Sequence, residues 1–122
     1  MKVIEIAFTV YAVTDLKRSR LFYENVLGLT ASSEFGDEAS GWVEYEIGPH
    51  TLALGAGSPK FKPSPNGGAV AFEVEDFDVA IEKLKASGVS FSIEPTETPV
   101  CHIAVIADPD GNSIIIHKRK SS

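Results

Sequence analysis

Hydrophobic and polar residues follow one another along this chain in an order that occurs twice. Over residues 1–56, alternation and apolar periodicity predict a strand at 3–13, a helix at 15–26 and strands near 29–35, 41–47 and 51–56. After residue 68 the order recurs, with a strand at 69–75, a helix at 76–86 and strands near 89–93, 100–107 and 113–117. The pattern therefore predicts an α+β fold built from two tandem βαβββ units.

The residues that begin and end the two helices support a true repeat. Asp15 and Asp76, each opening a helix, are 61 residues apart, and the helix-ending Gly28 and Gly88 are 60 residues apart. A unit this short cannot bury its own sheet face, so the two units must pair within the chain or between chains. We therefore expect a homodimer.

The length of the chain limits how these units can be organised. A chain of 122 residues suits one hydrophobic core, so we expect a single domain over residues 1–122. Within it the units lie at roughly 1–56 and 68–118, joined by a proline-containing linker at 57–67 that no regular strand ladder can include.

Charge and cysteine content limit which classes of binding partner and which cellular compartment we expect. The formal net charge is −6, from 11 Lys+Arg against 17 Asp+Glu, which leaves no basic field for phosphates. We therefore expect no nucleic-acid partner. The apolar N-terminal segment is interrupted by Glu5 and predicts a strand, so we expect no membrane partner either. The single Cys101 cannot form an internal disulfide, which favours the cytoplasm.

Two segments resemble the signatures of a known superfamily. Residues 13–29, VTDLKRSRLFYENVLGL, resemble the opening signature of the vicinal oxygen chelate superfamily, and residues 108–112, DPDGN, resemble its closing signature. That group contains glyoxalase I, the bleomycin-resistance proteins and the extradiol dioxygenases. The resemblance implies a curved mixed sheet around a cleft, with the helices on the outer face.

The same resemblance implies where a metal would bind in the metal-using members. They take four ligands, one from the first and one from the last strand of each unit. Three positions carry over to Phe8, Ala69 and Ile115, and the 61-residue repeat places the fourth at Leu54. None of these side chains has a donor for a divalent cation, and a shift of one residue in any strand would introduce only Thr9. We therefore expect no metal and no cofactor.

Alternation predicts which other side chains face the cleft. If the four positions above point inward, Glu73 and His117 point the same way. On strand 41–47, Trp42 and Glu44 are placed toward the cleft, opposite three residues suited to packing: Val43, Tyr45 and Ile47. An aromatic wall with carboxylates would suit a flat or cationic organic ligand, as in the bleomycin-resistance type. A core tryptophan with solvated glutamates is an equally good interpretation of this strand.

The last hairpin leaves two registers open. A two-residue turn at Pro109 and Asp110 would place His102 opposite His117, whereas a glycine bulge at Gly111 would place Ile103 there and turn Cys101 inward. Two histidines on one wall could act as acid and base or bind an anion, and solvated strand ends are the simpler interpretation.

These patterns favour a metal-independent small-molecule binding or sequestering protein that works as a dimer. The first alternative is a lyase- or dioxygenase-like enzyme that uses Glu73 or a histidine as general base in the same cleft. The second alternative is an interaction domain without cleft chemistry. The candidate ligand-binding residues are Phe8, Trp42, Glu44, Leu54, Glu73, His102, Ile115 and His117.

Overall fold

A computed structural model describes residues 1–121 and shows the predicted order of elements twice. The first unit contains β1 (Thr9–Ala12), α1 (Leu16–Arg20), a π-helical continuation of α1 (Leu21–Val26), β2 (Ala31–Gly36), β3 (Gly41–Ile47) and β4 (His50–Ala56). The second contains β5 (Val70–Glu73), α2 (Phe77–Ala86), β6 (Phe91–Glu97), β7 (Cys101–Ala107) and β8 (Ser113–Arg119). The compact units divide between Pro63 and Ser64.

Each unit forms one four-stranded mixed sheet. The order is β1-β4-β3-β2 in the first unit and β5-β8-β7-β6 in the second, so each strand has an equivalent at the same place in the other sheet. β1 runs parallel to β4 and β5 parallel to β8, and the other neighbours are antiparallel. The predicted α+β fold of two tandem βαβββ units is confirmed.

The helices begin where the sequence predicts. The Asp15 side chain accepts a hydrogen bond from the Arg18 backbone N–H at 3.2 Å, and Asp76 accepts one from Val79 at 3.1 Å. Each aspartate therefore satisfies a helix-start donor that has no partner within the helix. After the helices, Gly28 and Gly88 take φ values of 77° and 74°, a conformation that favours glycine.

Two strands differ most from the predicted bounds. The first is four residues long instead of eleven, and its ladder with β4 begins at the pair Thr9 and Leu52. Residues 1–8 lie outside the ladder. β6 is longer than predicted and extends across Pro95, which an edge strand with two register shifts tolerates because its proline needs no ladder partner.

Each sheet buries the face that its helix covers. In the first unit Tyr23, Val43, Tyr45 and Leu54 are fully buried, so strand β3 alternates as predicted between buried and free positions. In the second unit the core joins three residues of α2 to residues on the facing strands: Phe77, Ile81, Leu84, Ala104, Ile106, Ile114 and Ile116. The opposite face of each sheet, which its helix leaves uncovered, is called the free face below.

The linker holds no strand or helix and is anchored at its C-terminal end. The Ser64 backbone N–H donates to Asn112 Oδ1 at 3.1 Å, and the Ser113 hydroxyl donates to the Pro65 carbonyl at 2.9 Å. Across residues 1–121, no helix has the length and apolar character needed to cross a lipid bilayer.

Candidate functional site

Three aromatic rings meet on the free face of the first unit. The Trp42 ring contacts Phe8 edge to face, with centroids 5.4 Å apart and an interplanar angle of 88°. It also stacks with the Phe35 ring, with centroids 6.4 Å apart and an interplanar angle of 18°. The indole N–H donates to Glu44 Oε2 at 2.8 Å, which fixes the ring. Phe8, Phe35 and Trp42 are called the aromatic cluster.

Strand register places this cluster opposite the core. Trp42 lies across from Gly55 and Phe35, and Glu44 lies across from Ala53, so these residues share one face of the sheet. A Cβ atom on Gly55 would lie 3.1 Å from two indole carbons, so the ring lies directly over this glycine. The small residue is therefore part of how the cluster is built.

The cluster is an exposed apolar surface bordered by carboxylates. Phe35 is 68% exposed and Phe8 is 45% exposed, and such patches on a folded protein often mark binding sites. Glu44 is half-buried beside the indole, and Glu46 is exposed further along β3. Aromatic faces next to negative charge attract flat or cationic groups. Phe35 was not among the predicted site residues, although its position in a predicted strand could have revealed it.

The free face of the second unit carries an ion pair. Glu73 Oε1 lies 2.5 Å from His117 Nδ1, and Glu73 Oε2 accepts the Arg119 backbone N–H at 2.6 Å. The Arg119 N–H and then the imidazole hold the pKa of Glu73 below its usual range, so the carboxylate is ionised at neutral pH. The two residues are register partners on the parallel strands β5 and β8, so they lie side by side on one face of the sheet. The sequence predicted the shared face but not this contact.

The assignment of Leu54 to the cleft is wrong. Leu54 is fully buried and lies opposite Val43 on one side and Tyr11 on the other, on the helix-covered face. Thr9 pairs with Leu52, whereas its repeat equivalent Val70 pairs with Ile114. The sequence separation between paired residues is therefore one residue longer in the second unit. The 61-residue repeat therefore misplaces β4 by one position.

The corrected position does not supply a metal ligand. Ala53 takes the place of Leu54 on the free face, Phe8 and Ala69 precede their strands, and Ile115 faces the same way as His117. None of these four side chains offers a lone pair to a cation. Within residues 1–121, no three or more His, Cys, Asp and Glu side chains are grouped to hold a metal ion. The donor set does not fit the superfamily's divalent metal.

The last hairpin adopts the bulged register, so His102 does not lie opposite His117. Ile103 is the partner of His117, and His102 packs its ring 5.4 Å from the Phe77 ring on the helix-covered face. The candidate site role of His102 is therefore wrong. Cys101 faces the other way, but it is only 8% exposed.

The physical reason for this register is the turn after β7. Asp108 Oδ1 accepts the backbone N–H groups of Asp110 at 2.8 Å and Asn112 at 2.9 Å, and Gly111 takes φ 85°. The loop closes with Ala107 opposite Ser113, which leaves five residues in the turn instead of two in the tight turn.

A second feature of the first unit is a cavity of about 450 Å³ beside α1 and β2. The guanidinium of Arg20 donates to Glu24 Oε2 at 2.6 Å and to Glu34 Oε2, and the Tyr45 hydroxyl donates to Glu24 Oε2 at 2.9 Å. Burial would raise the pKa of Glu24, but the hydrogen bonds from Arg20 and Tyr45 outweigh it and lower that pKa. The predictions did not include this network, whose one sequence signal is the i,i+4 spacing of Arg20 and Glu24.

Comparisons with known proteins agree with the geometry. The family model described as Glyoxalase/Bleomycin resistance protein/Dioxygenase superfamily matches residues 5–116. A lactoylglutathione lyase of Haemophilus influenzae is 30% identical, covering 97% of this chain and 95% of that protein.

Two solved structures are similar in fold. The antibiotic binding protein TnmS3 from Streptomyces sp. CB03234 has a TM-score of 0.82 at 22% identity, covering 98% of this chain and 99% of that one. A superfamily member from Sphaerobacter thermophilus has a TM-score of 0.77 at 24% identity, covering 95% and 98%. Together with the repeated unit and the two signature segments, the family match over residues 5–116 shows that the chain belongs to the Glyoxalase/Bleomycin resistance protein/Dioxygenase superfamily.

Proposed function

We propose that this protein binds a small, flat or cationic organic molecule through the aromatic cluster, without a metal ion. The observation that carries the proposal is the Trp42 indole, held by Glu44 and flanked by the exposed rings of Phe8 and Phe35. A flat ligand can stack on these rings, and a positive charge on it gains from the neighbouring carboxylate. The fold similarity to an antibiotic binding protein is consistent with such a role.

The absence of donors at the superfamily's metal positions supports the metal-independent part of the proposal. Phe8, Ala53, Ala69 and Ile115 can line an apolar surface, but they cannot coordinate a cation. Binding through ring faces and a carboxylate requires no metal ion.

A second candidate function is a lyase-like reaction on a small molecule. The names of curated relatives favour it, since the Haemophilus influenzae protein and an Escherichia coli O157:H7 protein, each 30% identical, are both lactoylglutathione lyases. The donor set at the four positions argues against a metal-dependent version of that chemistry.

Fluorescence of the aromatic cluster tests the binding proposal directly, because Trp42 is the chain's single tryptophan. Planar cationic dyes, neutral analogues and anionic analogues of the same ring system would be titrated against the protein. We expect saturable quenching, with the highest affinity for the cationic compound, a lower affinity for the neutral one and the lowest for the anionic one. Phe35→Ala should weaken binding by about two- to twelvefold, because one aromatic contact contributes about 0.5–1.5 kcal/mol.

Two controls separate the parts of this proposal. Val79→Ala removes an exposed apolar side chain of α2 and should leave the affinity unchanged. Binding that survives dialysis against a chelator supports metal independence, and binding that is lost on chelation and restored by a divalent metal overturns it. Absence of quenching by every ring system would overturn the aromatic-cluster site itself.

We further propose that the functional form is a homodimer in the cytoplasm. Val3, Ile4 and Ile6 are 76%, 82% and 83% exposed in the segment before the edge strand β1, so they offer apolar surface to a second copy. The single buried Cys101 suits a reducing compartment. Light scattering after gel filtration should give twice the 13.1 kDa chain mass, and a monomer at micromolar concentration would contradict the dimer.

A further inference from the structure

The Glu73–His117 pair fixes the protonation pattern of an imidazole. The Glu73 carboxylate is ionised and can only accept hydrogen bonds, so Nδ1 of His117 must carry the proton in their 2.5 Å contact. In the neutral ring Nε2 then carries the lone pair. Within residues 1–121, no side chain or backbone group forms a hydrogen bond with Nε2, and the His117 side chain is 25% exposed.

An apolar strip runs across the same sheet beside this pair. Register partners join Ile93 to Val105, Val105 to Ile115, and Ile115 to Ala71, one residue from each of the four strands. These four residues are called the apolar row. Ile93 is 51% exposed, and the row lies on the free face, where α2 does not cover it.

The imidazole lies in the next row of the sheet. Ile103, His117 and Glu73 are register partners two residues along their strands from Val105, Ile115 and Ala71. Two residues of a strand span about 6.6 Å, so the two rows are neighbours on the same face. A ring lying on the apolar row can therefore direct a hydroxyl substituent toward His117.

We propose that the free face of the second unit binds an apolar molecule with a weakly acidic hydroxyl, such as a phenol or an enol, and that His117 Nε2 accepts its proton. The O–H bond breaks, its electron pair stays on the oxygen, and the new N–H bond converts the imidazole to imidazolium. Glu73 remains ionised, neutralises the imidazolium and acts as a positioning residue. No oxidant, reductant or second reactant is required.

The charged groups around the pair agree with this assignment. Along β8 the Arg119 backbone N–H holds the second oxygen of Glu73, and Arg119 shares the face of His117. Lys118 alternates to the other face, opposite His102. On β7 the thiol of Cys101 faces Arg119 but is 8% exposed and contacts the Thr98 hydroxyl at 3.2 Å. His117 is therefore the accessible proton acceptor beside the apolar row.

The experiment uses 4-nitrophenol, whose ionised form absorbs visible light. The probe is added to the protein at a pH where the free probe is protonated, and the phenolate absorbance is followed to saturation. We expect the native protein to generate phenolate, and His117→Gln to lower that signal at least tenfold. His50→Gln, a matched change on β4 of the first unit, should leave the signal unchanged.

A second measurement covers the role of Glu73 and does not depend on the probe. Nitrogen NMR of His117 should show the proton on Nδ1 in the neutral ring, and Glu73→Gln should produce a mixture of tautomers. Phenolate that persists in His117→Gln, no phenolate with the native protein, or a native ring protonated on Nε2 would each overturn the proposal. The inference rests on the second unit alone, so Trp42 quenching can fail or succeed independently of it.

Discussion

Leu54→Ala tests the corrected register of the first sheet. The Leu54 side chain is fully buried between its cross-strand neighbours Tyr11 and Val43, so truncation leaves an apolar cavity that the packed core closes only in part. Such changes cost about 2–5 kcal/mol, and we expect about 3 kcal/mol for this enclosed position. For a chain of this size that is a fall in Tm of roughly 12 °C.

Urea unfolding followed by far-ultraviolet circular dichroism measures this difference as a shift in midpoint at constant slope. Leu21→Ala is the matched control, because the same side-chain atoms are removed from a residue that is 57% exposed. We expect the control to cost about 0.5 kcal/mol or less. Equal destabilisation by the two variants, or an intact stability of Leu54→Ala with weakened ligand binding, would refute the buried assignment.

Two further predictions concern polar groups, one in each unit. In the first unit, Glu24→Gln should destabilise the protein at pH values above the ordinary glutamate pKa of about 4.3, because the Arg20 and Tyr45 contacts lower the folded pKa of Glu24. The difference should disappear as pH falls through that folded pKa; urea unfolding at several pH values measures it, and a pH-independent difference would contradict the pairing. In the second, Asp108→Ala removes the acceptor of the turn after β7 and, with Asp108 only 5% exposed, should cost about 2–4 kcal/mol in urea unfolding. Stability within 0.5 kcal/mol of the native protein would show that the turn forms without it.

Local chemistry made the element order predictable. Asp15 and Asp76 accept helix-start N–H groups, and Gly28 and Gly88 adopt the positive φ that ends each helix, so the four residues specify their conformations without distant partners. The alternation in β3 was predictable for a similar reason, since a strand with one covered face repeats every two residues.

Positions that depend on pairing between strands were less predictable. The site assignment of Leu54 assumed one repeat spacing throughout, but the β1–β4 and β5–β8 offsets differ by one residue, and a shift of one residue moves a side chain to the opposite face. The His102 assignment depended on the length of a turn that the Asp108 side chain determines. Phe35 lay in a predicted strand, but its place beside Trp42 depends on the β2–β3 register, which the sequence did not specify.

The duplication explains how one chain can present two different sets of exposed side chains. Equivalent strands in the two sheets place Trp42 on the free face of one unit and Ile103 and Val105 on the free face of the other, so the shared backbone leaves the exposed residues free to differ. At the superfamily's metal positions both units carry apolar side chains, whereas the polar groups lie elsewhere, at Glu44 and at the Glu73–His117 pair. Core and free-face residues occupy opposite faces of the same strands, so the free-face residues can differ between the units while helix and strand packing sets the core.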